Sequence, residues 1–197
     1  MLFGISAFPM VPMIADEIKI SASGNVYSPR EDSHLLAGAV ERYAFGRVLD
    51  MGTGSGIQGI VAAKLGCDVT FADISKDAVR QARANASANG VQGRFIETDL
   101  FSSISSRFNT IIFNPPYLHS APTKNGIVDR SLDGGIKGRE LIDRFLSRFR
   151  EHVEDDHIVL LLESSLNDYQ QDVKRLNANI AGSERLFFEE LAVLAFR

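Results

Sequence analysis

The segment Asn114-Pro115-Pro116-Tyr117 directly follows the apolar run Thr110–Phe113. A side-chain amide oxygen and a nearby backbone oxygen can together accept both hydrogens of a planar NH2 group, and an aromatic ring can pack on its face. Because each proline fixes its own φ and restricts the residue before it, the two carbonyl groups have little freedom. The segment predicts chemistry on nitrogen. Taken alone, it fits equally well a strand that ends at a Pro-Pro turn.

A glycine loop lies earlier in the chain. Val48–Asp50 is predicted to be a strand that leads into Gly52-Thr53-Gly54-Ser55-Gly56, and the apolar residues that follow recur at helical spacing. This order is typical of the first unit of a nucleotide-binding sheet. The dinucleotide fingerprint requires a third glycine three residues after the second, but Ile57 occupies that position. The loop therefore disfavours NAD.

Acidic residues end three of the predicted strands. Asp50 ends the first, Asp73 ends Val69–Asp73, and Asp99 follows Arg94–Thr98. The carboxylate of Asp73 can bridge the two ribose hydroxyls of an adenosine, and Asp99 can accept a hydrogen bond from an adenine amino group. Carboxylates at one edge repel a pyrophosphate but tolerate a cationic sulfonium. We therefore expect S-adenosylmethionine as the cofactor and no metal.

The order of elements predicts an α/β fold with a doubly wound, seven-stranded, mostly parallel Rossmann-like sheet and a C-terminal antiparallel hairpin. In such a sheet the first strands have the order 3-2-1-4, so the glycine loop and Asn114 should meet at the switch point. The remaining elements are predicted as helices from Ser28 to Tyr43, Ser75 to Gly90, Leu141 to Phe149 and Asn167 to Asn177, and strands at His157–Glu163, near Glu184–Phe188 and at Leu191–Phe196.

Chain length favours a single domain. The chain has 197 residues, 45% of them hydrophobic, which is enough for one core but too short for a catalytic domain plus a large recognition domain. We expect one domain over residues 1–197. Residues 1–26 are predicted to be an N-terminal arm. Residues 118–138 lack apolar periodicity and are predicted to be a loop that covers the substrate.

Charge and cysteine content limit partners and location. The formal net charge is −4, so no overall basic field for nonspecific nucleic-acid binding is expected. The one cysteine, Cys67, excludes an intrachain disulfide and favours a reducing, cytoplasmic location. The apolar N-terminal residues lack a basic start and contain two prolines, which favours a packed arm over a signal peptide. No stretch is long enough to cross a membrane.

Three stretches make the chain resemble the HemK-type protein glutamine methyltransferases, in their short archaeal and eukaryotic branch: Val26–Leu36, the glycine loop with the Asn-Pro-Pro-Tyr segment, and Gly134–Phe145. The resemblance covers nearly all of Tyr27 to Arg197. It implies a class I methyltransferase that uses S-adenosylmethionine and methylates the glutamine of the Gly-Gly-Gln loop of peptide-chain release factors. Eukaryotic members carry Glu at the position of Asp50.

The resemblance also implies roles for individual residues. It implies that the catalytic residues are Asn114, Pro115 and Tyr117, and that Pro116 joins them in binding the substrate. The cofactor contacts that it implies are Ser33, Asp50, Gly52, Gly54, Asp73, Asp99, Leu100 and Asn114. A methylated amidium, which is a cation, readily loses its proton, so no strong general base is required. The four histidines, His34, His119, His152 and His157, are predicted to lie at the surface or at element ends.

Two questions remain open at this point. The resemblance implies a small zinc-binding activator protein that adds to a sheet edge, and the third strand, with Phe95 and Ile96, is the expected edge. Alternatively, the arm Met1–Ile14 covers that edge. The identity of the methyl acceptor is also open, because the same pair of oxygens could bind the exocyclic amine of a flipped adenine or guanine in RNA or DNA. An inactive scaffold is disfavoured by the presence of Asn114 and Asp73.

Overall fold

The computed structural model describes residues 13–21, 26–116 and 139–197. Tyr117 and the predicted loop 118–138 lie outside these ranges. The six α-helices in the described part are α1 (Ile14–Glu17), α2 (Glu31–Tyr43), α3 (Ile57–Lys64), α4 (Lys76–Ala88), α5 (Glu140–Arg148) and α6 (Tyr169–Leu176). The seven strands there are β1 (Arg47–Met51), β2 (Asp68–Asp73), β3 (Arg94–Glu97), β4 (Phe108–Phe113), β5 (Val153–Ser164), β6 (Asn179–Arg185) and β7 (Glu190–Phe196).

The strands form one sheet in the order β3-β2-β1-β4-β5-β7-β6. The first five are parallel, whereas β7 is antiparallel to both β5 and β6. This confirms the predicted fold class. Val48 pairs with Thr110 and Met51 with Phe113, so β1 and β4 end at the same level. The glycine loop and Asn114 therefore start side by side at the carboxyl edge of the sheet.

Apolar layers cover both faces of the sheet. The layer formed with α2, α3 and α4 includes Leu36, Ile60 and Ala82, and the layer formed with α5 and α6 includes Phe145 and Tyr169. The side chains of β4 alternate between them: Ile112 faces the first layer, and Ile111 and Phe113 face the second. Strands buried on both faces explain the continuous apolar run before Asn114.

The strand predicted near Glu184–Phe188 is present as β6, but it lies earlier in the chain, at Asn179–Arg185. β6 ends at Arg185, and Leu186 donates a backbone hydrogen bond to the oxygen of Glu189, at 2.8 Å, across the turn into β7. Aromatic residues favour strands, but the side chains of Phe187 and Phe188 are 92% and 87% exposed at this turn. Strand β5 also starts earlier than predicted, at Val153.

The described part of the N-terminal arm packs on helices. The backbone nitrogen of Ala15 donates to Glu41 of α2, and that of Lys19 donates to the Asn89 side chain after α4. Most of the segment predicted to cover the edge strand, Met1–Ile14, lies outside the described residues. Within the described ranges, no helix has the length and apolar character needed to cross a membrane.

Candidate active site

The glycine loop joins β1 to α3 through left-handed backbone. Gly52, Gly54 and Gly56 have φ of +63°, +52° and +88°, which residues with a Cβ rarely adopt. A Cβ placed on Gly54 would meet only a backbone oxygen at 3.9 Å, so this position is open on its outer side. A Cβ on Gly52 would lie 3.3 Å from the Phe113 ring and 3.9 Å from the backbone oxygen of Asn114. The loop and the end of β4 therefore meet, as the strand order predicted.

Asp50 holds this loop against the start of α3. Its Oδ2 accepts hydrogen bonds from Thr53 Oγ1 at 2.5 Å and from the backbone nitrogen of Gly59 at 3.0 Å. Burial raises the pKa of Asp50 to about 7, opposed by these two hydrogen bonds and reinforced by the charge of Asp73. The buried side chain of Asp50 thus links the glycine loop to the first turn of α3. Its contact with the cofactor stays a prediction.

Asp73 lies at the end of β2, facing the same loop. Its Oδ2 accepts a hydrogen bond from the backbone nitrogen of Gly54 at 3.0 Å, and its Oδ1 accepts one from that of Ser75 at 2.8 Å. Burial raises the pKa of Asp73, and the backbone hydrogen bonds oppose that rise. Each carboxylate oxygen retains further acceptor capacity, which suits the hydroxyls of a ribose.

Asn114 follows β4 and has two different ends. Its Nδ2 donates to Asp32 Oδ2 at 3.0 Å. Its Oδ1 is buried and has no hydrogen-bond partner among the residues that the structure describes. Such an acceptor is costly unless something binds to it. Pro115 is buried and Pro116 is half-buried beside it, while Tyr117 lies outside the described ranges.

Other residues predicted to touch the cofactor already have protein contacts. Asp99 forms an ion pair with Arg144 of α5 at 2.7 Å, with both side chains about half exposed. Leu100 has φ of +47°, and its backbone oxygen accepts a hydrogen bond from Thr98. Ser33 is buried, and its hydroxyl donates to Asp32 Oδ1 at 3.2 Å. These three cofactor contacts stay predictions.

Sequence reasoning did not single out Asp32. The residue lies inside the Val26–Leu36 stretch that carried the resemblance, directly before Ser33. The available signal was a carboxylate in the first turn of a helix, which is a common position for a purely structural acid. Only the packing of α2 against the end of β4 brings Asp32 to Asn114.

The residues at this edge fit S-adenosylmethionine. The open outer side of Gly54 leaves room for a ligand against the backbone, and Asp73 presents a carboxylate beside it. The unpartnered Oδ1 of Asn114 marks a place for a polar group of a second molecule at the adjoining strand end. One edge thus offers places for a cofactor and for an acceptor.

Comparison with known proteins agrees with this geometry. Residues 17–136 match the methyltransferase small domain. The chain is 34% identical over 185 residues to a candidate protein N5-glutamine methyltransferase of Methanocaldococcus jannaschii, which covers 90% of this chain and 94% of that protein.

Two longer proteins match part of the chain. The release factor glutamine methyltransferase of Deinococcus radiodurans is 36% identical over 53% of this chain and 40% of its own length. The ribosomal RNA small subunit methyltransferase C of Serratia proteamaculans is 33% identical over 53% of this chain and 31% of its own length. The chain thus spans less than half of either protein.

Among solved structures, the Mtq2–Trm112 complex of E. cuniculi, responsible for methylation of the translation termination factor eRF1, superimposes with a TM-score of 0.67 at 25% identity. The match covers 87% of this chain and 98% of that one.

Proposed function

Because the chain belongs to the methyltransferase small domain family, and to the protein N5-glutamine methyltransferases within it, we propose that it methylates the glutamine of the Gly-Gly-Gln loop of a peptide-chain release factor. The chain is an S-adenosylmethionine-dependent methyltransferase. The support for a release-factor substrate is the similarity to the Deinococcus enzyme and to Mtq2, which acts on eRF1.

The observation that carries the proposal is the buried, unpartnered Oδ1 of Asn114. An amide nitrogen is a poor nucleophile because its lone pair is delocalised into the carbonyl group. Oδ1 and the neighbouring Pro115 carbonyl would accept the two hydrogens of that nitrogen and favour the geometry of the transition state. Holding the nitrogen in line with the methyl group supplies a proximity contribution as well.

The cofactor would be held by Asp73 on its ribose and by the backbone of Gly52 and Gly54. When bound, S-adenosylmethionine supplies a methyl group on a cationic sulfonium, and the acceptor nitrogen takes that methyl group and releases a proton. The nitrogen that has just accepted the methyl group still carries both of its hydrogens and a positive charge, and this cation is acidic enough to lose one proton to water. We assign no general base, and the ring of His152 is stacked on Phe101, with 4.5 Å between the ring centroids.

We also propose that a small zinc-binding activator protein adds to the edge of β3. This strand pairs with β2 on one side, and no described strand covers its other side. Exposed backbone along a strand can accept a further strand from a partner. The support is that Mtq2 forms a complex with Trm112.

A methyl-transfer assay with labelled S-adenosylmethionine tests the substrate. The acceptors are a release factor, the same factor with the Gly-Gly-Gln glutamine changed to alanine, and ribosomal RNA, each with and without a Trm112-type partner. We expect label on the unaltered release factor, located on the glutamine by mass spectrometry. Label on RNA, with the release factor unmodified even beside the partner, would reject the proposal. It would favour an exocyclic amine of adenine or guanine as the acceptor.

A further inference from the structure

The hydrogen bond between Asp32 and Asn114 determines which end of the asparagine amide faces the acceptor. The two ends of an asparagine side chain have the same shape, but one donates and the other accepts. A carboxylate only accepts, so the end that faces Asp32 must be the nitrogen. The observed distance from Nδ2 to Asp32 Oδ2 is 3.0 Å. Oδ1 is then left without a partner in the described part of the chain.

We infer that Asp32 is a positioning residue for methyl transfer, which fixes Asn114 so that Oδ1 is the atom offered to the acceptor nitrogen. The inference rests on the proposed role of Asn114 as the grip on that nitrogen. Asp32 itself acts only through Asn114. A flipped amide would present its NH2 group to an NH2 acceptor, and two donors cannot form a hydrogen bond.

Asp32 is itself held in one orientation. The side chain is 4% exposed, and its Oδ1 accepts hydrogen bonds from the Tyr27 hydroxyl at 3.0 Å and the Ser33 hydroxyl at 3.2 Å. Burial, reinforced by the charge of Asp32, raises the pKa of Tyr27, so that this hydroxyl stays a donor. Two donors on Oδ1 leave Oδ2 for Asn114.

The surrounding elements keep this arrangement rigid. Asp32 lies in the first turn of α2, where the helix N-terminus favours a carboxylate. The backbone oxygen of Ser33 accepts a hydrogen bond from the buried side chain of Gln58 at 2.8 Å, which ties α2 to α3, the helix that follows the glycine loop. The acceptor grip and the cofactor loop are thus linked through the start of α2.

Three variants of the full chain test the inference, with tritiated S-adenosylmethionine and a Gly-Gly-Gln release factor as substrates. Asp32→Leu removes the acceptor for Nδ2, and we expect kcat to fall by about 10²-fold, as for loss of a preorganised catalytic hydrogen bond. Asp32→Asn keeps the shape of the side chain, but its single oxygen accepts from Tyr27 and Ser33, so its NH2 group faces Asn114 and we expect kcat to fall about as far as in Asp32→Leu. Glu31→Gln is the control: it removes the neighbouring, exposed carboxylate of the same helical turn, and we expect kcat within about threefold of wild type.

Two further measurements separate positioning from a structural role. Calorimetry of S-adenosylmethionine binding should give Kd values within about threefold of wild type for both Asp32 variants. In the wild type, NMR should show that the hydrogens of the Asn114 side-chain NH2 exchange with solvent at least about tenfold more slowly than those of an exposed asparagine, because Asp32 accepts a hydrogen bond from this group. Because the exchange measurement uses only the wild-type protein, it tests the inference even if a variant fails to fold.

The outcomes decide the inference separately from the proposed substrate. Unchanged kcat in Asp32→Leu or Asp32→Asn, an equal loss in Glu31→Gln, a parallel loss of cofactor affinity, or solvent-like exchange of the Asn114 NH2 would each overturn it. If the wild type instead methylates RNA, the substrate proposal fails. The same variants, assayed on that RNA, then test Asp32.

Discussion

The carboxylate of Asp73 accepts a hydrogen bond from the backbone nitrogen of Gly54 at 3.0 Å. This bond joins the end of β2 to the middle of the loop that leaves β1. The second oxygen of Asp73 accepts from Ser75 at 2.8 Å, so the carboxylate is oriented from two sides. A carboxylate held in this way would already be oriented for the ribose that we propose it binds, so that no ligand is needed to orient it.

Asp73→Ala is expected to weaken S-adenosylmethionine binding. Loss of hydrogen bonds from the ribose to a charged group should cost roughly 1.5–3 kcal/mol in the free energy of binding, which isothermal titration calorimetry can measure. Asp77→Ala is the matched control, because it removes an exposed carboxylate from α4 that pairs with Arg80. We expect the control to bind like wild type. Equal affinities of the two variants would exclude Asp73 from the cofactor site.

Asn114→Ala is expected to reduce turnover more than cofactor binding. Removing one preorganised acceptor should lower kcat by about 10²-fold or more, while the calorimetric Kd for S-adenosylmethionine changes little. Asn109→Ala serves as the control, since Asn109 lies near the other end of β4. Its side chain accepts a hydrogen bond from the backbone nitrogen of Arg47 and donates one to the backbone oxygen of Asp156. It should lower the melting temperature and preserve kcat. A folded Asn114→Ala enzyme with normal kcat would show that the Asn-Pro-Pro-Tyr segment is only a structural turn.

Binding of an activator at the sheet edge is expected to protect β3. Hydrogen exchange followed by mass spectrometry should show slower exchange over Arg94–Glu97 when a Trm112-type protein is added, because added strand pairing protects backbone amides. Strand β6, Asn179–Arg185, is the other edge strand of the sheet and provides an internal control. Protection confined to β6, or to neither edge, would argue against the proposed docking.

The positions of Asp73 and Asn114 could be predicted because both directly follow apolar strands. Parallel strands end at one edge, so the strand order alone places these residues together. The contact between Asp32 and Asn114 could not be predicted, since 82 positions separate them and the contact depends on how α2 docks on the sheet.

Local preference explains the error in the last hairpin. Phe187 and Phe188 have strand-favouring side chains, but the register of β6 against β7 places them in the turn. The ion pair between Asp99 and Arg144 could likewise not be predicted from the sequence, because it depends on where α5 packs against the sheet. Periodicity and motifs identify strands and their ends, whereas contacts between distant side chains depend on tertiary packing and cannot be predicted from these local patterns.

A buried charge cluster at the end of β5 predicts a pH-dependent stability. Arg139 contacts Glu163 at 3.4 Å and Asp172 at 2.5 Å, and the side chains of both acids are at most 1% exposed. Burial and then the charge of Asp172 raise the pKa of Glu163 to about 8, against the opposing effect of Arg139. Arg139 directly precedes α5, so the cluster anchors that helix to β5 and α6.

The sign of the effect follows from proton binding. In the unfolded chain Glu163 ionises near its ordinary pKa of 4.5, whereas the native state keeps the proton up to about pH 8. The native state therefore binds more protons between these values, and its stability falls as pH rises. The stabilising contribution is complete below about pH 4.5 and is lost as pH rises through 8.

Glu163→Gln is therefore expected to flatten the pH dependence of the free energy of unfolding between pH 5 and 9, measured by urea denaturation. The neutral amide can donate to Asp172 as the protonated carboxyl does, so the variant should exceed the wild type in stability at pH 9. Arg139→Met should lose roughly 3–5 kcal/mol, because it removes the buried ion-pair partner of Asp172 and leaves that acid only the more exposed Arg175. Asp155→Asn, an exposed change on the same strand, should follow the wild-type profile. A Glu163→Gln profile parallel to that of wild type would show that Glu163 is already ionised at neutral pH in the native state.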